Sequence, residues 1–191
     1  MKNDGASQRR AVFLDRDGVL NKAFVRDGKP FPPRSLAELE ILPGVREGLE
    51  RLQGRGFLLI GATNQPDVAR GLQQREAVDA INDRVVSDLK LDDMRVCWHD
   101  DADGCECRKP KPGLLIDGAR EHRISLPLSY MIGDRWRDVE AGQRAGCRTV
   151  WLRMGYAERG PTIPPDFTAD RFDRVVEWIL NDAGAHTGVR S

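Results

Sequence analysis

Residues 11–21 read AVFLDRDGVLN: a short apolar run, two aspartates separated by one residue, then a glycine. An unbroken apolar run that stops at a charge is the pattern of a strand buried on both faces of a parallel sheet. Asp15 would stand at the carboxyl end of that strand, with Asp17 two residues on and Gly18 allowing a sharp turn. Two carboxylates this close repel unless a cation sits between them. Mg2+ suits that place, because it takes oxygen ligands and binds through one or two carboxylates plus a substrate phosphate. By itself the pair says little, since a surface turn with two solvated aspartates has the same sequence.

The pattern recurs along the chain. FLLIGATN (57–64), MRVCW (94–98), LSYMIGD (128–134) and CRTVWL (147–152) are further apolar runs. Between them lie segments of helical period. PGVREGLERLQGRG (43–56) has Pro43 at its start and Gly54 and Gly56 at its end, with Val45, Leu49 and Leu52 on one face. Residues 73–90 carry Val78, Ile81, Val85 and Leu89 at helical spacing. GLLIDGAREHRI (113–124), WRDVEAGQRAG (136–146) and RFDRVVEWIL (171–180) complete the set. Strands alternating with helices predict an α/β fold, a doubly wound and mostly parallel sheet with helices on both faces. Residues 22–42, rich in proline and charge, are expected to be a loop. Residues 1–10 and 183–191 are expected as flexible tails around a single domain, 11–182. In such sheets ligands bind beyond the carboxyl ends of the strands. That rule singles out Asp15, Thr63, a Cys/His loop and Asp134.

Composition narrows the function classes. With 191 residues the chain can bury one proper core. Its formal net charge of +0 offers no field for a polyanion, so nucleic acid is not expected as a partner. No apolar run is long enough to span a bilayer. The start, MKNDGASQRR, lacks the apolar core of a signal peptide, so a cytoplasmic protein, without membrane association and monomeric, is expected. Three of the four cysteines fall within 97–107 together with His99, a clustering that favours metal over disulfides.

Three more stretches carry chemistry. In GATNQ the Thr63 hydroxyl, the Asn64 amide and free backbone N–H groups could hold a phosphate oxygen, although a plain strand-end turn reads the same way. Lys109 is a point charge suited to a phosphate or a carboxylate, although most lysines are merely solvated. In MIGDRWRD, Gly133 and Asp134 close a strand and Asp138 follows one helical turn later. Capping by Asp134 would explain that pair equally well. What the bland readings leave unexplained is the joint order of these residues at successive strand ends.

Together DRDGVLN, TNQ, RKPKPG and GDRWRD resemble the haloacid-dehalogenase superfamily of phosphohydrolases, from Val12 to Leu152 and in the family's order. The resemblance implies that Asp15 is the nucleophile and forms an aspartyl-phosphate. It implies that Asp17 protonates the leaving oxygen and later activates water, and that Thr63 and Lys109 stabilise the transferring phosphoryl group. Asp134 would complete a catalytic Mg2+ site with Asp15 and Asp17. Asp138 would support Asp134 or touch the metal.

Cys97, His99, Cys105 and Cys107 form C-x-H, five residues, then C-x-C. Thiolate and imidazole suit Zn2+, and four protein ligands leave no open position for water, so a structural zinc loop is expected over 97–107. Neither inter-motif segment has room for a cap domain, and the zinc loop would take its place. That narrows the resemblance to two related groups, the heptose-bisphosphate phosphatases and the histidinol-phosphate phosphatases. TNQPDVARG and RKPKPG are similar to the former, implying removal of the 7-phosphate of D-glycero-D-manno-heptose 1,7-bisphosphate. The expected substrate contacts are Asn64, Gln65, Arg108 and, from the loop AFVRDGKPFPPR on the leaving-group side, Arg26. Pro66 and Asp67 depart from the Ser-Gly pair usual in that group, and Trp98 from a proline. Histidinol phosphate is the alternative substrate. A receiver-like signalling domain, or a binding module without catalysis, is the alternative from another class. Asp17 directly after Arg16, together with the zinc loop, opposes the former, and a binding module would not need both Asp15 and Asp17.

Overall fold

The computed structural model describes residues 9–187. Its central strand is β1 (Arg10–Leu14). Val12 and Leu14 enter one apolar layer and Ala11 and Phe13 the other, as the two-residue period of a strand requires. Both faces are covered, which is why the run shows no polar alternation.

Five more strands join it: β4 (Phe57–Asn64), β5 (Asp93–Cys97), β6 (Tyr130–Gly133), β7 (Arg148–Leu152) and β8 (Phe167–Ala169). β2 (Phe24–Arg26) and β3 (Lys29–Phe31) form a separate antiparallel hairpin. The sheet order is β5–β4–β1–β6–β7–β8, and every neighbouring pair is parallel. The chain builds outward from β1 through β4 and β5, then returns and builds the other way through β6, β7 and β8. The order therefore reverses at β1, and a crevice opens where the carboxyl ends of β1, β4 and β6 meet.

Helices cover both faces. α1 (Val45–Gln53), α3 (Arg75–Leu89) and α6 (Phe172–Thr187) contribute to the core that contains Val12 and Leu14. α4 (Gly113–His122) packs on the face of Ala11 and Phe13, and α5 (Trp136–Ala145) lies beside it against β6 and β7. A short helix, α2 (Pro66–Ala69), follows β4. Among the described residues there is no separate cap domain. The hairpin is the sheet element between β1 and α1.

The doubly wound parallel sheet is as expected, and the structure departs from the sequence reading in three places. The expected loop 22–42 contains the β2–β3 hairpin, turned at Asp27 and Gly28, both of positive φ. Asp-Gly is the pair such a turn demands, and that signal stood in VRDGKPF. β8 is three half-exposed residues without an apolar run, so periodicity could not reveal it. At the ends, Arg10 belongs to β1, Arg9 bridges to Ile124, and α6 continues past residue 182 to Thr187. Residues 1–8 and 188–191 of the expected tails lie outside the described residues. No described helix is long and apolar enough to cross a membrane.

Candidate active site

The switch in strand order brings the four motifs to one place. Asp15 follows β1, Thr63 is the penultimate residue of β4, Lys109 lies beyond β5, and Asp134 follows β6; all four are buried. A cavity of about 280 Å³ opens over Asp15, Asp17, Thr63, Asn64, Lys109 and Asp138. Its rim carries Lys29 and Phe31 from the hairpin, Asp67 and Arg70 after β4, Asp101 and Arg108 from the Cys/His loop, and Arg135, Arg137 and Glu158.

Lys109 is the hub. Its Nζ lies 2.6 Å from Asp15 Oδ1 and 2.5 Å from Asp138 Oδ1, and it donates to the Ala62 carbonyl at 2.6 Å. Asn64 clamps the Lys109 backbone from both sides, donating to its carbonyl at 3.0 Å and accepting from its N–H at 3.1 Å. Asn64 therefore positions the lysine as well as lining the cavity. Thr63 accepts from Gln65 Nε2 at 2.9 Å, and the same amide donates to Asp17 at 2.9 Å. Gln65 is buried behind the cavity wall rather than on it. Asp17 also accepts from Asn21 at 3.0 Å and from Arg16 at 2.9 and 3.2 Å. Arg16 is wholly buried and reaches Asn82 at 2.6 Å. A buried guanidinium needs such partners, and nothing in DRDG singled it out as structural.

The carboxylates are crowded. Burial pushes Asp15 up to about 6; Lys109 pulls against this, while Asp138 and Asp17 push the same way. Burial, then Asp15 and Asp138, hold Asp134 well above the usual carboxylate range, an effect that the nearby Tyr156 hydroxyl and Lys109 reduce. Burial works against the charge on Lys109, but Asp138 and Asp15 outweigh it and raise its pKa. Asp15, Asp134 and Asp138 each offer an oxygen within 4.8 Å of the others. Apart from the nearby Tyr156 hydroxyl, neither oxygen of Asp134 has a hydrogen-bond partner among the described residues. Buried, mutually repelling and unsatisfied oxygens are what a small divalent cation would relieve, so the donor set fits Mg2+. Asp138 is already paired with Lys109 and accepts from the Arg135 N–H at 3.0 Å, which leaves Asp15 and Asp134 as the available ligands. The Asp17 carboxylate, expected as a third, is instead held by Arg16, Asn21 and Gln65.

Two glycines make this approach possible. Gly18 has φ +92°, and a Cβ there would overlap the Asp134 carboxylate and lie 2.7 Å from Tyr156 Oη. A Cβ on Gly133 would overlap Asp138. The Gly in each motif thus lets two acidic segments touch.

The Cys/His loop gathers as its spacing suggested. Cys97 Sγ lies 3.0 Å from Cys107 Sγ and 3.7 Å from both Cys105 Sγ and His99 Nδ1; Cys105–Cys107 is 3.5 Å and His99 Nδ1–Cys107 is 3.3 Å. A tetrahedral Zn2+ with bonds of about 2.0–2.3 Å has ligand–ligand edges of roughly 3.5–3.8 Å; three of these edges match, the two others to Cys107 are shorter, and the soft donor set is that of such an ion. The loop is docked by Arg70, which grips Asp100 at 2.5 and 2.9 Å. Trp98 stacks under Arg75, 4.5 Å from guanidinium to ring.

Arg26, expected among the substrate contacts, stands apart from the cavity lining. It lies on β2 over the Phe31 ring and does not line the cavity; Lys29, Pro30, Phe31 and Pro32 do. The register of the hairpin, invisible in the sequence, turns the second strand inward. Sequence reading also missed Tyr156, Ala157 and Glu158. This segment closes the site from behind: Ala157 N–H donates to Gly28 at 2.8 Å, and Glu158 pairs with Arg135. RMGYAERG carries no apolar period or motif that would have revealed it.

Comparison with known proteins agrees with this geometry. A D-glycero-beta-D-manno-heptose-1,7-bisphosphate 7-phosphatase of Bordetella bronchiseptica is 36% identical over 151 residues, 75% of this chain and 79% of that protein. The chain belongs to this family of haloacid-dehalogenase-type phosphatases. A D-glycero-D-manno-heptose-1,7-bisphosphate 7-phosphatase of Thermosynechococcus vestitus, 31% identical, spans 90% of this chain and 95% of its own. A family member from Mycobacterium bovis, named for the alpha anomer, is 33% identical over 87% of this chain and 90% of its own. The HAD-hydrolase-like family profile matches residues 106–175, from the end of the Cys/His loop into α6. Among solved structures, the D,D-heptose 1,7-bisphosphate phosphatase of B. bronchiseptica, complexed with magnesium and phosphate, superposes with a TM-score of 0.78. It is 31% identical and covers 91% of this chain and 99% of that one.

Proposed function

We propose that this chain removes the 7-phosphate of D-glycero-D-manno-heptose 1,7-bisphosphate through an aspartyl-phosphate on Asp15. The observation that carries the reading is Asp15 at the floor of the cavity, paired with Lys109 and facing Asp134. In the first step an Asp15 oxygen bonds to phosphorus, the bond from phosphorus to the sugar oxygen breaks, and Asp17 gives that oxygen its proton. In the second, water attacks the phosphorus, Asp17 takes the water's proton, and inorganic phosphate leaves Asp15. Lys109 offsets charge on the nucleophile and on the phosphoryl oxygens. Thr63 holds a phosphoryl oxygen, and Gln65 couples it to Asp17. Asp15 and Asp134 would hold Mg2+, which would supply the charge neutralisation that lets an anionic carboxylate meet an anionic phosphate. Zn2+ on Cys97, His99, Cys105 and Cys107 orders the loop that delivers Arg108 and Lys109. These reduced thiols suit a cytoplasmic setting.

The rim supports a bisphosphate. Lys29, Arg70, Arg108, Arg135 and Arg137 outnumber Asp67, Asp101 and Glu158, so a second phosphate is favoured over the ammonium group of histidinol phosphate. The test is phosphate release from both anomers of heptose 1,7-bisphosphate, with histidinol phosphate alongside and Asp15→Asn as control. Preferred turnover of a heptose anomer, lost in Asp15→Asn, supports the reading. Preference for histidinol phosphate overturns the substrate, and no Mg2+-dependent release from any of them overturns the enzyme.

A further inference from the structure

The cations on the cavity rim are not equally satisfied. Arg70 faces two carboxylates, Asp100 and Asp67. Arg135 has Glu158. Arg108 and Arg137 share a single carboxylate: Asp101 Oδ1 lies 2.8 Å from Arg108 Nε and 3.2 Å from Arg137 Nη1. Two guanidiniums thus share one directly bonded monoanion, and Asp100, which also faces Arg108, is already held by Arg70.

The two come from unrelated parts of the chain. Arg108 follows the last cysteine of the Cys/His loop, whereas Arg137 sits in the first turn of α5, just after Asp134. Both side chains are mostly buried, with 10% and 25% of their surface exposed, so solvent screens their charge weakly. Planar guanidiniums recognise phosphate oxygens bidentately, and a dianion matches two of them better than a carboxylate does.

We propose that Arg137 is a specificity-determining residue, forming with Arg108 a clamp for the second, non-reacting phosphate of a sugar bisphosphate, with Asp101 occupying the place of that anion until substrate arrives. The proposal rests on the bisphosphate reading above. It goes further by assigning Arg137 and by giving Asp101 the part of an internal anion that the phosphate displaces.

The experiment compares kcat/KM for heptose 1,7-bisphosphate, fructose 1,6-bisphosphate and an aryl monophosphate in the wild type, Arg137→Met, Arg137→Lys and Asp101→Asn. Losing one charge-assisted contact to the distal phosphate lowers the ratio of bisphosphate to monophosphate kcat/KM about tenfold or more, carried by KM. Arg137→Met should show this loss and Arg137→Lys should recover part of it. Asp101→Asn should not lower the ratio, because it removes only the competing anion. If Arg137→Met lowers all three substrates equally, or Asp101→Asn matches its loss of selectivity, Arg137 merely holds the loop and the clamp is overturned. A wild type that ignores heptose bisphosphate yet prefers fructose 1,6-bisphosphate, with that preference lost in Arg137→Met, refutes the heptose substrate and keeps the clamp. A wild type with no preference for either bisphosphate overturns both.

Discussion

Replacing Lys109 with methionine keeps the length of the side chain and removes the cation between Asp15 and Asp138. Its Nζ lies 2.6 and 2.5 Å from the two carboxylates, and the side chain is 2% exposed. Removing one partner from a buried ion pair costs about 3–5 kcal/mol, because the remaining charge stays buried without compensation. That cost should depend on pH. With Lys109 present, burial already raises Asp15 to about 6 from 3.8. A raised folded-state value means that the folded protein holds the proton more tightly, so stability from this group is present below pH 4 and lost as pH rises through 6. Without Lys109 the Asp15 carboxyl rises further, and its loss of stability between pH 4 and 8 grows. Urea unfolding followed by circular dichroism in magnesium-free buffer should therefore show the variant about 3–5 kcal/mol less stable than wild type at pH 8. At pH 5, where Asp15 carries its proton, the Asp15 share of the gap should disappear, leaving the smaller cost of the broken Asp138 pair and hydrogen bonds. A gap of the same size at both pH values would show that Lys109 does not act through the charge of Asp15, and would refute the electrostatic account of that pair.

Asp17→Asn is expected to lower kcat by about 10²–10⁴-fold by removing the acid/base group. It should also cost about 1–3 kcal/mol of stability, because Arg16 loses its charged partner. Steady-state kinetics on protein shown to be folded separates the two effects, and an intact kcat would remove Asp17 from the mechanism. Cys105→Ser should release zinc, measured by metal analysis, and lower Tm by several degrees or more, since metal binding contributes directly to folding of such loops; a zinc-free variant with unchanged Tm and activity would contradict a structural role. Gly18→Ala should weaken Mg2+ binding, read by titration calorimetry, because the added methyl group collides with the Asp134 carboxylate; unchanged affinity would mean that Asp134 does not hold the ion.

The strand-end aspartates, the clustering of Cys97, His99, Cys105 and Cys107, and the parallel α/β class were legible because each rests on local rules. Apolar runs that stop at a charge, helical periods between them, and four soft ligands within eleven residues need no knowledge of neighbours. What tertiary structure alone decided is how these pieces face one another. Asp17 shares the cavity with Asp15, but its partners Arg16, Asn21 and Gln65 come from the fold, and Asp138 joins Asp15 and Asp134 through tertiary packing. The choice of Lys29 and Phe31 over Arg26 follows from the register of a hairpin whose Asp-Gly turn was visible but whose inward strand was not. Asn64 reads as a phosphate ligand in TNQ, yet the fold brings its amide to the Lys109 backbone, 45 residues on. Tyr156 and Glu158 reach the site from a loop without any periodic signal. The pairing of Arg108 with Arg137 across Asp101 joins three residues of different segments. Sequence determined which chemical groups were available, because residue type and local spacing are properties of the chain. Their partners, and so their charges and roles, were decided by long-range packing, where burial and the nearest opposite charge set the energy of every ionisable side chain.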